Sequence, residues 1–236
     1  MYRYETHLHT SPVSSCAKKP VRENIEFYKS LGYDGVFITN HFLDGNFIKR
    51  YDADLSYEEK MEIYLSDYYE GVKIGNELGL RVFFGVELSY LGTDFLVYGL
   101  DPEWYIAHPE IMEMEKSVEL PFIMNEGGFV IQAHPFREAK YIDHIRLFPR
   151  CVHGVEVFNA NRTELENKMA NIYANEYGFY KTAGTDNHMG KDQRILAGLE
   201  SETPISDEKD FAERVKNGTM SMFIIDREAD SFKRIE

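Results

Sequence analysis

Residues 1–41 read MYRYETHLHTSPVSSCAKKPVRENIEFYKSLGYDGVFITNH. Residues 1–7 predict a strand. Residues 21–31 predict a helix, with Ile25, Phe27, Tyr28 and Leu31 on the apolar positions and Gly32 at its stop. Residues 35–40 predict a second strand, apolar enough to be buried. Each strand runs straight into side chains with metal chemistry. His7 and His9 end the first, and Asn40 and His41 end the second. This is one strand–helix–strand unit with its polar chemistry gathered at the strand ends.

The same grammar continues. Helices are predicted over 57–78, with Gly79 beyond the last turn, over 109–126 with Pro121 interrupting or kinking it, over 164–177 and over 207–216. Strands are predicted over 81–88, 94–99, 128–133, 154–158 and 180–185, with an apolar run over 220–225. Strands alternating with helices argue for an α/β fold and a parallel sheet. Seven or eight such units suit a (β/α) barrel better than an open doubly wound sheet. Periodicity alone does not separate the two, but the placement of polar residues just after the strands favours the barrel. No repeat, low-complexity tract or Pro- or Gly/Ser-rich linker divides residues 1–236, so a single domain is expected.

The chain has 236 residues, 43% of them apolar and 28% charged, which excludes disordered, collagen-like and coiled-coil classes. Its 26 basic and 40 acidic residues give a net charge of −14. Duplex nucleic acid and anionic membranes would be repelled by that field. A phosphate-bearing substrate therefore needs local cations or metal ions. Two cysteines, Cys16 and Cys151, exclude a disulfide framework, and a reducing cytoplasm is expected. There is no apolar run of transmembrane length. The first residues do not resemble a signal peptide, and because they already carry candidate ligands, no processing there is expected.

The candidate ligands are separated in sequence and alike in position. His7-Leu8-His9 places two imidazoles on one side of an extended segment. His41, Glu87, His134, and Asp186 with His188 each sit at the end of another predicted strand. A charged group at the end of an apolar strand is costly unless it is paired or coordinated. If all the strands enter one sheet, at least five imidazoles and two carboxylates converge. That exceeds the four ligands of a structural zinc site. It suits two or three divalent ions with a bridging carboxylate, and the nitrogen and oxygen donors suit Zn, Mn or Fe. His108, His144 and His153 lie elsewhere in the pattern and are expected to be structural, and the acidic 57–78 helix is expected to present a solvated face.

In order, His7-Leu8-His9-Thr10, Thr39-Asn40-His41, Gly85-Val86-Glu87, Ala133-His134-Pro135 and Gly184-Thr185-Asp186-Asn187-His188 resemble the motifs of the polymerase and histidinol phosphatase (PHP) domain family. The resemblance runs from residue 1 to about 190, and 206–218 resemble the family's last helix. It implies a distorted seven-stranded (β/α) TIM-like barrel and metal-dependent phosphoester hydrolysis. It further implies that His7, His9 and Asp186 bind one ion, that Glu87 bridges to a second held by His134, and that His41 and His188 bind a third. The chain departs from the pattern at three places. Cys16 stands near a usual Asp or His, Asp94 stands where many members have His, and Asn40 stands where Asp is usual. Cys16 and Asp94 are each open to a ligand role or a structural one.

The expected reaction is hydrolysis of a phosphomonoester, such as histidinol phosphate, or of a small phosphodiester or nucleotide, by metal-activated water. Arg137 is the first candidate to hold the phosphate, with Lys18 or Lys19 second. Asp186 and His188 are candidates to carry a proton to the leaving oxygen. Segments 42–57 and 98–104 are expected to line the entrance. Two rival readings are a metal-dependent amide or ester hydrolase on a similar barrel, and a metal-binding regulatory module without turnover. Against the first, no Lys sits at a suitable strand end.

Overall fold

The computed structural model describes residues 1–48 and 55–235. Residues 49–54 of the expected entrance segment therefore lie outside the described residues. The α/β class is as expected, but the strands form two sheets rather than one closed barrel. In the first, β1 (Tyr2–Leu8), β2 (Gly35–Ile38) and β3 (Arg81–Phe84) run parallel. β9 (Ile195–Ser201), β10 (Ser221–Asp226) and β11 (Ser231–Ile235) extend this sheet antiparallel from the other side of β1. In the second, β4 (Val86–Tyr90), β5 (Thr93–Tyr98) and β6 (Phe129–Ala133) are antiparallel neighbours. β7 (Gly154–Asn159) and β8 (Tyr180–Gly184) then follow parallel to β6. Single bridges, Leu8 to Asn187 and His41 to Glu87, tie the sheets together at the end where the candidate ligands lie.

Gly85 explains one departure from expectation. The strand predicted over 81–88 is two strands in different sheets, and Gly85 is the hinge between them. A Cβ there would come within 2.8 Å of the Thr39 side chain, so only glycine lets the chain cross so close to β2. The all-parallel expectation fails for the same reason. β3 turns directly into β4, β4 returns as β5 without a helix, and antiparallel pairing needs only a tight turn at residues 91–92. The helix predicted over 109–126 is a 3₁₀ turn, Pro109–Glu113, followed by α4 (Lys116–Asn125). Pro121 lies inside α4, and the break falls before it. α3 (Pro102–Ala107) was not anticipated, nor were β9 and β11.

Of the other long helices, all but α1 are fixed at their starts by side-chain caps. α1 (Val21–Ser30) lies between β1 and β2. α2 (Tyr57–Leu78) begins at Ser56, whose hydroxyl accepts from the Glu59 N–H while the Glu59 carboxylate accepts from the Ser56 N–H. It ends at Gly79 in the left-handed conformation. α5 (Glu164–Tyr177) repeats the device with Thr163, Glu166 and Gly178. α6 (Glu208–Lys216) is capped by Asp207. Aromatic side chains from both sheets fill the interior, with Tyr4, Phe37, Phe83, Tyr98 and Phe211 in one continuous cluster. Among the described residues no helix is long and apolar enough to cross a membrane.

Of the glycines, Gly198 in β9 sits closest to neighbouring backbone, across the seam with β1. A Cβ on Gly198 would lie 2.1 Å from the Tyr4 carbonyl oxygen, and backbone cannot swing away as a side chain can. Gly198→Ala is therefore expected to destabilise the fold by about 1–3 kcal/mol. A lower urea midpoint at unchanged slope checks this, and an unchanged midpoint would contradict it.

Candidate metal centre

β1 supplies the first donors. His7 is in the strand and His9 just past it, so both rings point to one side, and their Nε2 atoms stand 3.1 Å apart. The next strands add theirs at the same end. His41 follows β2, Glu87 opens β4, Asp94 opens the antiparallel β5, His134 follows β6, and Asp186 and His188 follow β8. An antiparallel strand starts where its parallel neighbours finish, so Asp94 joins the cluster from the beginning of its strand. Asp94 pairs with Ala133, next to His134.

Glu87 is the centre of this arrangement. Its carboxylate lies 3.1 Å from His7 Nε2, 3.2 Å from His9 Nε2, 2.8 Å from His41 Nδ1 and 3.5 Å from His134 Nε2. Asp186 closes the other side, 3.5 Å from His7 Nε2, 3.4 Å from His9 Nε2 and 3.2 Å from His188 Nδ1. The side chains fall into four overlapping groups able to grip an ion. These are His7–His9–Glu87, His7–His134–Asp186, Glu87–Asp94–His134 and His9–His41–His188.

Outer side chains set which ring nitrogen faces inward. His7 Nδ1 donates to Glu156 at 2.9 Å, which leaves Nε2 as the lone-pair donor. His9 Nδ1 meets the Ser14 hydroxyl at 3.1 Å, and Ser14 in turn donates to Asn40 at 2.8 Å. His188 Nδ1 lies 2.9 Å from the Asp186 carbonyl oxygen. Asn40 also donates to Asp67 from α2, so a buried carboxylate stands behind Asn40 where Asn40 itself has none. Glu5 accepts from the His7 N–H and from the Thr185 N–H and hydroxyl. Gly184 leaves room for this layer, since a Cβ there would come within 2.6 Å of both Glu156 and His7. His134 and Asp186 hold positive φ of 27° and 57°, two of the four non-glycine residues in that region among the described residues. Strained backbone collects where surrounding structure must aim a functional group.

Burial and charge work against each other throughout. Burial opposes ionisation of Glu87, but the rings of His41, His7 and His9 hold it well below the usual carboxylate range. Asp186 is likewise held down against burial, by His7 and His188. Burial disfavours the His7 cation, yet Glu156, Asp186 and Glu87 raise its pKa well above normal. His9 drops to about 4, through burial and its neighbours His188 and His41. His188 rises to about 10, because Asp186 outweighs burial. Asp94 is raised by burial and by Glu87 despite His134, His41 and Arg137. Burial also opposes the Cys16 thiolate, but His188 and His41 prevail and bring it down to about 6.

A metal fits this cluster better than protons do. Both Glu87 oxygens, His41 Nδ1 and His134 Nδ1 are buried with no hydrogen-bond partner among the described residues. The 2.8 Å approach of His41 to Glu87 thus lacks the alignment of a hydrogen bond. Uncompensated buried polar atoms are rare, and divalent ions between rings and carboxylates would satisfy the Glu87 oxygens.

The cluster opens onto a cavity of about 340 Å³ lined also by Cys16, Asn46, Arg137, Asn161, Arg162 and Met189. Arg137, expected to face a phosphate, does line it, with Nη1 2.9 Å from Asp94. Lys19 does not, since it lies near Glu23 and Asp192, and Lys18 is exposed and outside the lining. His108, His144 and His153 are apart from the cluster, His108 stacked on Trp104 and His153 accepting from the Val130 N–H. Both cysteines are free. Sequence reading missed Glu156, Glu5, Asn159 and Arg162. Glu156 lies in the middle of its predicted strand, so the strand-end rule that found Glu87 passed it over. Arg162 carries no signal, because its place in the cavity follows from a loop.

No protein-family model matches the chain, and no curated protein sequence matches it. Solved structures do. A two-domain protein from Bacteroides vulgatus, containing a predicted PHP-like metal-dependent phosphoesterase, superposes with TM-score 0.68 at 14% identity over 94% of this chain. This chain spans 64% of that protein's length. An inferred metal-dependent phosphoesterase from Bifidobacterium adolescentis gives TM-score 0.56 at 14% identity, covering 89% of this chain and 94% of that one. An amidohydrolase from Chromobacterium violaceum, crystallised with sulfate and no metal, gives 0.55 at 12% identity, covering 97% and 99%. At these identities the shared property is the fold.

Metal binding should register as stability. Zn²⁺ or Mn²⁺ at about 100 times Kd adds about 2.7 kcal/mol, or about 5–10 °C in Tm for a chain this size. Protons compete for the same imidazoles, so the increment should grow from pH 5 to pH 8, and Glu87→Gln should remove most of it. Calorimetric melting with and without chelator checks both. No metal-dependent shift at pH 8 would contradict the assignment.

Proposed function

We propose that residues 1–236 form one domain, a distorted (β/α) barrel closed through the bridges between its two sheets, that hydrolyses phosphoesters with two or three bound divalent ions. The observation that carries this reading is Glu87, a buried carboxylate with both oxygens unpartnered, ringed by four imidazoles at the floor of a cavity that also presents Arg137 and Arg162. His7, His9, Glu87, His134 and Asp186 would hold two ions, with Asp94 beside His134, and His9, His41 and His188 would offer a third position. Bound there, divalent ions supply charge neutralisation for phosphate oxygens and an acidified water.

The chain's own residues do the rest. Arg137 and Arg162 hold the phosphate against the repulsion of the −14 net charge. Asp94 orients the Arg137 guanidinium through their 2.9 Å contact. Glu156 and Ser14 keep the His7 and His9 rings from turning. Water adds to phosphorus as the ester P–O bond breaks, and the leaving oxygen takes a proton. With two ions bound and the third position open, His188, which lines the cavity 23% exposed and backed by Asp186, is placed to supply it. A cavity of this size suits a small phosphorylated molecule rather than a duplex. The amidohydrolase neighbour keeps amide hydrolysis as the second reading. No lysine lines the cavity among the described residues.

The test is an assay with p-nitrophenyl phosphate and Mn²⁺ or Zn²⁺, beside amide and lactone substrates. Glu87→Ala and His134→Ala should each lose at least about a hundredfold in kcat/KM (about 2.7 kcal/mol of transition-state stabilisation). Arg162→Ala should raise KM more than it lowers kcat. Equal rates in wild type and both ligand variants, or turnover of amides alone, would contradict the proposal.

A further inference from the structure

A second depression, of about 530 Å³, adjoins the metal-site cavity, and Asn161 and Arg162 line both. Its character is different. Phe136, Ile145, Leu165 and Met169 supply its apolar wall. Ile145, Leu165 and Met169 are 40%, 66% and 37% exposed. Single exposed apolar side chains are ordinary, but three on one wall with a phenyl ring, opening into a polar cavity, mark a ligand groove.

One turn joins the two spaces. The Arg137 N–H donates to the His134 carbonyl oxygen at 2.9 Å, so residues 134–137 form a tight turn. His134 and Arg137 line the metal-site cavity, and Phe136 between them lines the groove. Phe136 is fixed there by an edge-on contact with Tyr173, ring centroids 6.0 Å apart. Beyond Arg162 at the junction with the cavity, the polar rim carries the carboxylates Glu138 and Glu166, which outnumber that cation and repel an anionic occupant. Glu166 is already held as the α5 cap. The groove thus accepts a neutral apolar group and disfavours a second phosphate.

We propose that this groove seats the alcohol portion of the substrate, and that the chain's substrates are phosphomonoesters of apolar alkyl or aryl alcohols. The phosphate lies at the cluster of imidazoles and carboxylates, and the apolar portion passes Arg162 and Asn161 to rest on Phe136, Ile145, Leu165 and Met169. The inference rests on the phosphoester reading above.

The experiment uses the metal-loaded chain and n-alkyl phosphates from ethyl to hexyl, whose leaving-group acidity hardly changes while apolar length grows. Each added methylene should raise kcat/KM about threefold to fourfold until the groove is filled. Leu165→Asn, at an exposed position where folding is not at stake, should bring the hexyl-to-ethyl ratio toward one. The matching n-alkylphosphonates, whose C–P bond resists hydrolysis, should bind with affinity rising along the series and with an increasingly negative heat capacity change. A flat series with active enzyme would overturn the groove assignment and leave the phosphoester reading standing. Hydrolysis of none of the esters would overturn the phosphoester reading, and the phosphonate titrations then decide the groove alone, with affinity independent of chain length overturning it.

Discussion

A carboxylate taken out of water must find compensation, and among the described residues Glu87 finds it in imidazole rings. It is buried at the junction of the two sheets, and among the described residues neither oxygen has a hydrogen-bond donor. The surrounding rings belong to residues from β1, β2 and β6 or the loops after them, so the folding of separate elements converges on one side chain. Such a site is unfavourable as it stands, because desolvation falls on every member and repulsion among like charges falls on some. Cations between the donors would turn each of these costs into attraction. Much of the rest of the structure serves that exchange. The backbone at His134 and Asp186 is forced into positive φ, Gly184 is bare, and Glu5, Glu156, Ser14 and Asp67 stand behind the clustered rings and carboxylates.

The layer behind the candidate ligands also gives the site its asymmetry. Glu156 behind His7 raises that ring's affinity for a proton or a metal, whereas His9 rests against a neutral serine and two other rings and is depressed to about 4. Imidazoles two residues apart therefore behave differently: Glu156, Asp186 and Glu87 outweigh burial at His7, whereas burial with His188 and His41 prevails at His9. Arg137 adds a second asymmetry, since its contact with Asp94 draws a cation to one side of the cavity, while Asn161 and Arg162 border the apolar groove. Charge sits at one end and apolar surface at the other, which is the distribution a phosphorylated apolar molecule would match.

Much of this was legible in the residues. The helices 57–78 and 164–177 agree with expectation at both ends, because each carries a complete capping box and a left-handed glycine, which are local signals. The convergence of these side chains was legible because charge at the end of an apolar strand needs a reason. What escaped was non-local. Ile195–Ser201 gains its place by pairing with β1 almost two hundred residues earlier, and Ser231–Ile235 exists only as the edge partner of β10. The division at Gly85 depends on how closely β2 passes, which no local pattern encodes. Glu156 sat in plain view in Gly154–Asn159, but its role shows only when β7 lies beside β8 and β1 comes near. Arg162 and the groove beside it are products of loop packing, where periodicity has nothing to say.

Anomalous diffraction from crystals grown with Mn²⁺ or Zn²⁺ tests the central claim most directly, because it locates ions without reference to any reaction. The account predicts at least two anomalous peaks inside the cluster, one of them within about 2.0–2.2 Å of a Glu87 oxygen and of an inward-facing imidazole nitrogen. A cluster with no anomalous density, and Glu87 satisfied by protonated rings alone, would contradict it.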